Sequence, residues 1–306
     1  LEVGSESAVD RAKSIKSFLM QFFEAEDHHN VEGADTYNAC YGGTNALLNT
    51  VNWVQSGGWN GKYGVVICSD CSVHPDPASI STVGASSVAL LVGPRAPFVM
   101  EPQRVTFIKH SWDFYRPVGW RNNDALMDVS VADKQYEQAL LWCQARFSEN
   151  MGTADLLGLF DYVCFHCNAP YHAKRSLRLV CNKIAGRALD KKEHEVFYRK
   201  HVEPGTWISA QNAQTYTCPL YACLLSLCIS RGRDLLEPRG QVRLRVLCDG
   251  RAAVPVIHAD ERLARRGVHA VCVFHEWHAA HVGGRGHLVI VLGRPGPGPG
   301  PRLRRL

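Results

Sequence analysis

The sequence predicts an α/β protein in which helices cover a buried sheet. Short apolar runs bounded by glycine or polar residues, such as "KYGVVICSD" (62–70) and "SSVALLVG" (86–93), are typical of strands buried on both faces. Longer segments between such runs carry apolar residues at helical spacing. Because strands and helices alternate along the chain, we expect a layered α/β architecture.

The predicted helices and strands can be placed in chain order. The first helix covers residues 8–24, where Ile15, Leu19 and Phe22 share one face. The run "FDYVCFH" (160–166) predicts a strand that ends at His166. Further helices are predicted at residues 41–56, 132–148, 172–186 and 219–229. The alternation of strand and helix therefore continues through the last of these helices.

Composition places the chain among ordinary soluble globular proteins. It has 306 residues, 46% hydrophobic and 21% charged, and no run approaches the roughly 18 apolar residues that cross a membrane. Most of the 12 cysteines lie in apolar runs, as reduced core cysteines do, so we expect a cytoplasmic protein without a membrane partner. The chain starts at Leu1 without a signal-like segment, so we expect that its native N-terminus is missing, and an organellar location stays open.

The last part of the chain differs from the rest in composition. Residues 231–306 contain 14 Arg, no Lys and 6 acidic residues, and they end in "GRPGPGPGPRLRRL". This positive charge is not interleaved with aromatic residues, so we expect no nucleic-acid partner. A Pro/Gly run cannot form the interior of a helix or sheet, and Arg243 and Arg245 interrupt the apolar pattern before it. We therefore predict that residues 239–306 are a divergent, largely disordered tail, or a mistranslated reading of the gene.

Cys40 stands just before a predicted helix, in "DTYNACYGGTNALLNTVNWV" (35–54). A thiol at the first turn of a helix faces the partial positive charge of the helix amides, which favours the nucleophilic thiolate. Gly42 and Gly43 let the backbone approach a bound acyl group and leave amides that can hold an oxyanion. The pattern suits a cysteine that takes an acyl group. Taken alone, however, this local pattern is more typical of a small core cysteine beside a glycine pair than of a nucleophile.

Two further side chains are candidates for the same chemistry. Glu2 in "LEVGSES" (1–7) is a carboxylate beside an apolar strand and could be a general base with a raised pKa; a solvated terminal glutamate is the alternative. His166 at the end of a buried strand can polarise a carbonyl group; a hydrogen-bonded core histidine is the alternative. Each alternative is favoured while the residues are considered one at a time.

The cysteine pairs do not indicate a metal site. Cys68-x-x-Cys71 and Cys164-x-x-Cys167 are 93 residues apart, whereas the two pairs of a zinc ribbon are separated by roughly 15–20 residues. "HEWH" (275–278) is one residue short of the HExxH motif of zinc proteases. We therefore predict that the protein binds no metal.

Four segments, in this order and spacing, resemble the hydroxymethylglutaryl-CoA synthases. They are "LEVGSES", "EGADTYNACYGGTNALLNTVNWV", "DFYRP" and "FHCNAPY", and the resemblance covers residues 1–235. It implies the thiolase fold, in which two similar βαβαβ halves form α-β-α-β-α layers, usually as a homodimer. The N-terminal half would be incomplete here. Residues 1–100 would be the remainder of that half with Cys40, residues 101–238 the C-terminal half with His166, and residues 239–306 the tail.

The resemblance implies a Claisen-type condensation of acetyl-CoA with acetoacetyl-CoA, a step of the mevalonate route to isoprenoids and sterols. Cys40 would carry the acetyl group, Glu2 would take a proton from its methyl group, and His166 would polarise the ketone of acetoacetyl-CoA. The substrates are CoA thioesters and no cofactor is required. The residues at substrate-contacting positions of the family are Thr82, Asp113, Phe114, Tyr115, Lys174, Arg175 and Gln214.

Some family positions differ in this chain. Two acyl-site asparagines are replaced by Ala78 and Gln214, a serine falls at Ala132, and the lysines that bind CoA phosphates match only Lys174 or Arg175. Each lost buried donor would cost about 1–3 kcal/mol. Two alternatives therefore stay open. One is a catalytically impaired or non-catalytic relative, and the other is another thiolase-fold condensing enzyme, such as a β-ketoacyl synthase, which pairs its cysteine with His-His or His-Asn.

Overall fold

The computed structural model describes most of the chain up to Leu236 and four strands beyond it. The described residues are 1–24, 27–74, 77, 82–94, 96, 98–100, 104–117, 119, 124–167, 169–236, 243–247, 256–259, 271–278 and 285–292. Only the backbone is described for residues 99, 156, 157 and from 232 onward. Ala78 and the Pro/Gly-rich end of the chain, 293–306, lie outside these ranges.

Helices and strands alternate through the described chain. The helices are α1 (Ile15–Leu19), α2 (Gln21–Glu24), α3 (Gly42–Val54), α4 (Val129–Met151), α5 (Leu156–Leu159), α6 (Pro170–Ala185), α7 (Lys191–His201), α8 (Trp207–Asn212) and α9 (Pro219–Leu236). The strands are β1 (Glu2–Gly4), β2 (Asp35–Thr36), β3 (Gly64–Cys71), β4 (Ala85–Val92), β5 (Phe98–Met100), β6 (Phe114–Tyr115), β7 (Leu126–Met127), β8 (Tyr162–Phe165), β9 (Arg243–Leu247), β10 (Val256–Ala259), β11 (Val271–His278) and β12 (Arg285–Leu292).

The first sheet carries Cys40 at one edge. Its described strands lie in the order β11-β12-β4-β3-β1-β2. β1 is parallel to both neighbours, so that Gly4 lies opposite Thr36 of β2 and opposite Cys68 of β3. β3 pairs antiparallel with β4, and β4 pairs in parallel with β12. The carboxyl ends of β1, β2 and β3 therefore share one edge, and such an edge is where α/β proteins bind their ligands.

The second sheet carries His166. Its described strands lie in the order β5-β10-β9-β8, with β8 parallel to β9 and β10 antiparallel to both of its neighbours. β8 ends at Phe165, directly before His166, which confirms the predicted strand end. β6 and β7 form a separate antiparallel pair.

One hydrophobic cluster joins the two sheets. It includes Ala46 of α3 and Val66 of β3 on one side, and Phe165 of β8, Leu177 of α6 and Leu220 of α9 on the other. Each of these side chains is at most 2% exposed. Burial of a side chain of this size contributes about 1.5–3 kcal/mol. The strand ends that carry the candidate residues are therefore fixed by a common core.

The first predicted helix, 8–24, is shorter than expected. The side chain of Asp10 accepts hydrogen bonds of 2.7 Å from the backbone nitrogens of both Ala12 and Lys13. This local turn competes with helical hydrogen bonding. The helix begins only after Ser14, which caps α1 with its side chain.

The prediction that residues 239–306 are largely disordered is wrong for the four strands that the structure describes there. The backbone of β9 pairs in parallel with β8, with Arg245 opposite Val163, and β12 extends the first sheet beside β4. The reason lies in the sequence "RLRVL": charged and apolar residues alternate with a period of two, which a strand with one polar face accepts. Arg243 and Arg245 are two residues apart, so they match the strand period rather than interrupt the strand.

Replacement of Gly4 by alanine is expected to disturb the packing of β1 against the start of α3. A Cβ atom on Gly4 would overlap the backbone of Gly43 and would lie 2.5 Å from the carbonyl carbon of Gly42. Because backbone faces backbone, no side chain can move aside, and Gly4→Ala should lower the free energy of unfolding by about 3 kcal/mol. Urea denaturation would measure the change. Gly57→Ala is the control, because a Cβ atom there has no neighbour within 4 Å; equal stability of the two variants would contradict the prediction.

Candidate active site

Cys40 lies in a tight turn between β2 and α3. The backbone nitrogen of Tyr41 donates to Asn38 O at 3.1 Å, and that of Gly42 donates to Ala39 O at 3.2 Å. Ala39 has a φ of 40°, in the left-handed region that few residues other than glycine adopt. Such strain persists only where the surrounding structure enforces it, and it clusters at functional sites. Cys40 itself is half-buried and reduced, and it precedes the first turn of α3 as the sequence predicts.

The glycine pair after Cys40 allows close packing of α3 on the sheet. A Cβ atom on Gly42 would lie 2.6 Å from Thr36 O, and one on Gly43 would lie 2.6 Å from the Sγ of Cys68. The helix N-terminus thereby rests directly on the strand ends, where its partial positive charge acts on the adjacent Cys40. The glycines are thus required by the protein's own packing, whatever they contribute to a bound acyl group.

Glu2 does not occupy the position that a base acting on Cys40 needs. Its side chain accepts a hydrogen bond of 3.1 Å from the backbone nitrogen of Ala34, which precedes β2. Glu2 is the first residue of β1 and therefore lies at the amino end of the strand, whereas Cys40 follows the carboxyl end of β2. Since β1 and β2 are parallel, these are opposite ends of the pair. Glu2 is therefore not placed to act as the base on Cys40, and the prediction that it does so is corrected.

The same segment places a second glutamate, Glu6, at the correct end. Glu6 follows the carboxyl end of β1, and its side chain is 2% exposed. Its Oε1 accepts a hydrogen bond of 2.9 Å from Nη2 of Arg116. Sequence reasoning missed Glu6 although "LEVGSES" contains it; the rule that sites lie beyond the carboxyl ends of parallel strands would have selected it over Glu2.

Asp70 holds the segment that carries Glu6. Its Oδ1 accepts hydrogen bonds from the backbone nitrogen of Glu6 at 2.8 Å and from the hydroxyls of Ser5 and Ser7 at 2.9 and 2.8 Å. Its Oδ2 accepts from both the backbone nitrogen and the hydroxyl of Thr217. Asp70 is 4% exposed, and hydrogen bonds to a buried carboxylate are of the stronger kind. The end of β1 is thereby fixed to the segment before α9.

The first turns of α9 connect the cysteine to the histidine. The hydroxyl of Tyr221 donates to Oγ1 of Thr44 in α3 at 2.9 Å. The thiol of Cys223 donates to the carbonyl oxygen of Phe165, at the end of β8, at 3.3 Å. Together with Thr217, these bonds tie the elements that carry Cys40, Glu6 and His166 to the same end of one helix.

His166 follows β8 and is 9% exposed. The next helix, α6, begins at Pro170, a residue that suits the first turn of a helix. His172, in the first turn of α6, has its pKa lowered, chiefly by burial and further by the nearby His166 and Arg175. His166 therefore lies at a helix N-terminus, as Cys40 does on the other sheet.

Thr82 and Gln214 lie together, as a shared site requires. The backbone nitrogen of Gln214 donates to Thr82 O at 3.0 Å, and the side-chain oxygen of Gln214 accepts from the backbone nitrogen of Tyr216 at 3.2 Å. Tyr216 in turn lies 6.1 Å from Phe114, measured between ring centroids. Gln214 and Phe114 thus lie beside Tyr216, which sequence reasoning did not select, and Thr82 lies beside Gln214.

The remaining predicted residues occupy different surroundings. Asp113 is buried, and Tyr115 packs edge-on against the exposed Trp112 with ring centroids 5.1 Å apart. Lys174 forms an ion pair with Glu195. Arg175 pairs with Asp133 at 2.9 Å and with Glu137 at 2.6 Å. The two basic residues proposed for CoA phosphates are therefore already paired with carboxylates.

The described residues contain neither a metal-holding cluster nor a membrane-spanning helix. Within the part of the chain with described side chains, no group of three or more His, Cys, Asp or Glu side chains could hold a metal ion. Among the helices that the structure describes, none is long and apolar enough to span a membrane.

Comparison with known proteins identifies relatives of this chain. The family model of the N-terminal region of hydroxymethylglutaryl-coenzyme A synthase matches residues 1–97. Hydroxymethylglutaryl-CoA synthase erg13A of Aspergillus fumigatus is 35% identical over 285 residues, which cover 78% of this chain and 60% of that protein. The synthase of Schizosaccharomyces pombe is 34% identical over 266 residues, or 74% of this chain and 58% of that one. The chain thus spans about three fifths of the length of these relatives.

Solved structures show the same fold. MvaS in complex with 3-hydroxy-3-methylglutaryl coenzyme A matches 87% of this chain and 68% of its own, with a TM-score of 0.69 and 24% identity. The HMG synthase of the curacin biosynthetic pathway matches 87% of this chain and 63% of its own, with a TM-score of 0.74 and 19% identity. These matches confirm the predicted α/β fold of the thiolase type. Residues 1–97 thus match the N-terminal model of the hydroxymethylglutaryl-CoA synthases, and the chain is similar to members of that family over about three quarters of its length.

Proposed function

We propose that the chain condenses acetyl-CoA with acetoacetyl-CoA to give hydroxymethylglutaryl-CoA and free CoA, through an acetyl group carried on Cys40. The observation that carries the proposal is the convergence at one edge of the first sheet. Cys40 and the buried Glu6 follow the carboxyl ends of the parallel neighbours β2 and β1, and α9 ties both of their segments to the strand of His166.

The first half-reaction moves the acetyl group. The Cys40 thiolate attacks the carbonyl carbon of acetyl-CoA, the bond to the CoA sulfur breaks, and CoA leaves with a proton. The amides at the start of α3 are the groups available to stabilise both the thiolate and the oxyanion of this step. The product is a thioester on Cys40.

The second half-reaction forms the carbon–carbon bond. Glu6 takes a proton from the methyl group of acetyl-Cys40, and the resulting enolate attacks the ketone carbon of acetoacetyl-CoA. His166 holds the ketone oxygen, and the alkoxide formed by the attack takes up one proton, equivalent to the one that Glu6 removed, to become the hydroxyl group of the product. Water then cleaves the thioester, which frees Cys40 and leaves a carboxylate on hydroxymethylglutaryl-CoA. No step calls for a metal or a redox cofactor.

The experiment that tests the proposal follows both half-reactions. The 306-residue chain is incubated with acetyl-CoA, and the acetyl group is located by peptide mass spectrometry. Addition of acetoacetyl-CoA should then discharge the acetyl group as hydroxymethylglutaryl-CoA. An acetyl group on Cys68 or Cys164, or on no residue, would contradict the proposal.

We further place the reaction in the cytoplasm on the mevalonate route and propose that the enzyme acts as a homodimer.

A second candidate function is a catalytically impaired relative that keeps the acyl-accepting cysteine. The observation that favours it is the pairing of Lys174 and Arg175 with Glu195, Asp133 and Glu137. Side chains paired in this way are not open to the phosphates of CoA. This alternative predicts that acetyl-Cys40 forms slowly and that acetoacetyl-CoA does not discharge it.

The role of His166 gives a separate prediction. His166→Ala should form acetyl-Cys40 at a rate close to that of the unmodified protein, because the first half-reaction does not use the histidine. Its condensation rate at fixed acetoacetyl-CoA should fall about 100-fold, since one donor to the reacting oxygen is lost. Rapid-quench measurement of both steps separates them. His201→Ala, another buried histidine, is the matched control; a loss of acetylation in His166→Ala would contradict the assigned role.

A further inference from the structure

Glu6 and Arg116 form a buried ion pair between residues 110 positions apart. The Nη2–Oε1 distance is 2.9 Å, and the side chains are 13% and 2% exposed for Arg116 and Glu6. The surface pairs Arg146–Glu149 and Arg187–Glu193 differ, because they leave both of their side chains more than a third exposed. Burial makes the interaction between Glu6 and Arg116 strong and makes either charge costly without the other.

The surroundings of Glu6 would otherwise oppose its ionised form. Burial removes water from the carboxylate and favours the protonated acid. Asp70, whose carboxylate binds the backbone nitrogen of Glu6, adds a second negative charge close by. A protonated Glu6 could not take a proton from an acetyl group. Arg116 is a cation in direct contact with the carboxylate, and its charge opposes the effects of burial and Asp70.

Aromatic rings hold Arg116 in this orientation. Its Cζ lies 4.9 Å from the ring centroid of Tyr216 and 5.8 Å from that of Phe114, distances at which a guanidinium group interacts with a ring face. Burial alone would lower the pKa of Arg116, but Glu6, with smaller effects of Tyr216 and Tyr37, outweighs it and the pKa is raised. The guanidinium therefore keeps its charge.

We propose that Arg116 is a positioning residue that holds the carboxylate of Glu6 ionised and aimed toward acetyl-Cys40. The effect on the condensation step rests on the proposed function. The ionisation of Glu6 can be measured without any turnover. Arg116 donates no proton and forms no covalent bond. The charged and titratable groups recorded near this pair are Arg116 as the favouring charge on Glu6, Asp70 as the opposing charge, Tyr216 beside both members of the pair, and Tyr37 near Arg116.

The first experiment measures the ionisation of Glu6 directly. The full chain is labelled with ¹³C at the carboxyl carbon of glutamate, and Glu6→Gln identifies the signal of Glu6. In the unmodified protein the Glu6 signal should titrate with a midpoint at or below about pH 5, near the ordinary range of glutamate, in spite of burial. A midpoint above pH 7 would overturn the proposal without any variant.

The second experiment changes the charge of Arg116. Arg116→Gln keeps a hydrogen-bond donor and removes the charge, so the midpoint of Glu6 should rise by about 1–3 pH units. Arg116→Lys keeps the charge, so its Glu6 midpoint should stay close to that of the unmodified protein. Arg146→Gln removes a surface charge and should leave the Glu6 midpoint unchanged. A Glu6 midpoint in Arg116→Gln within about 0.3 units of the unmodified value, roughly a third of the smallest expected change, would overturn the proposal.

Kinetics connect this ionisation to the reaction. In single-turnover condensation from preformed acetyl-Cys40, the acidic limb of the pH profile should move upward in Arg116→Gln by the same amount as the Glu6 midpoint. Acetylation of Cys40 should change little in Arg116→Gln. A merely structural defect would instead slow both acetylation and condensation. If the unmodified chain forms no acetyl-Cys40, the proposed function fails, while the titration of Glu6 still decides the inference about Arg116.

Discussion

Replacement of Cys40 by serine is expected to abolish transfer of the acetyl group from acetyl-CoA to the chain. The start of α3 stabilises a thiolate, whereas an alcohol stays protonated near neutral pH in the same field. Loss of the nucleophile should lower the rate of acetylation by about four orders of magnitude or more. Intact-mass measurement after incubation with acetyl-CoA detects the added acetyl group, and peptide mapping locates it.

Cys71 supplies the matched control for Cys40. It is an exposed, reduced cysteine in the last position of β3. Cys71→Ser should therefore be acetylated like the unmodified chain. Acetylation that persists in Cys40→Ser and disappears in Cys71→Ser would transfer the nucleophile to Cys71 and remove the central claim.

The helix and strand boundaries that sequence reasoning predicted well are those with a local signal. The helix that begins at Gly42, directly after Cys40 and Tyr41, follows from the glycine pair and the apolar spacing of one short segment. The end of β8 before His166 follows from one apolar run. Neither requires knowledge of any contact with a distant part of the chain.

The features that sequence reasoning missed depend on distant contacts. Glu2 and Glu6 are both glutamates beside β1, and only the parallel pairing with β2 shows which end of the strand faces Cys40. Arg116 and Asp70 reach Glu6 across 110 and 64 positions. The backbone pairing of residues 243–247 with β8 is likewise invisible in a local charge pattern. The division of the chain at residues 100 and 238 stays a prediction.

Removal of the carboxylate of Glu6 is expected to separate the two half-reactions. Glu6→Gln should still form acetyl-Cys40, because the thiolate at the start of α3 does not depend on the base. It should then condense about 10²–10⁴-fold more slowly, the usual contribution of a positioned general base. Rapid-quench assays with acetyl-CoA alone, and then with acetoacetyl-CoA, measure the two rates, and circular dichroism checks that the variant is folded.

Glu2→Gln is the matched control for this last prediction, since it makes the same change four residues earlier. The side chain of Glu2 accepts a hydrogen bond from the backbone of Ala34 at the amino end of the strands, and a glutamine can accept the same bond. Its condensation rate should stay within about threefold of the unmodified protein, as for most substitutions near the surface. The opposite pattern, with condensation lost in Glu2→Gln and kept in Glu6→Gln, would show that the base acts from the amino end of β1. The structural argument from parallel strands would then fail.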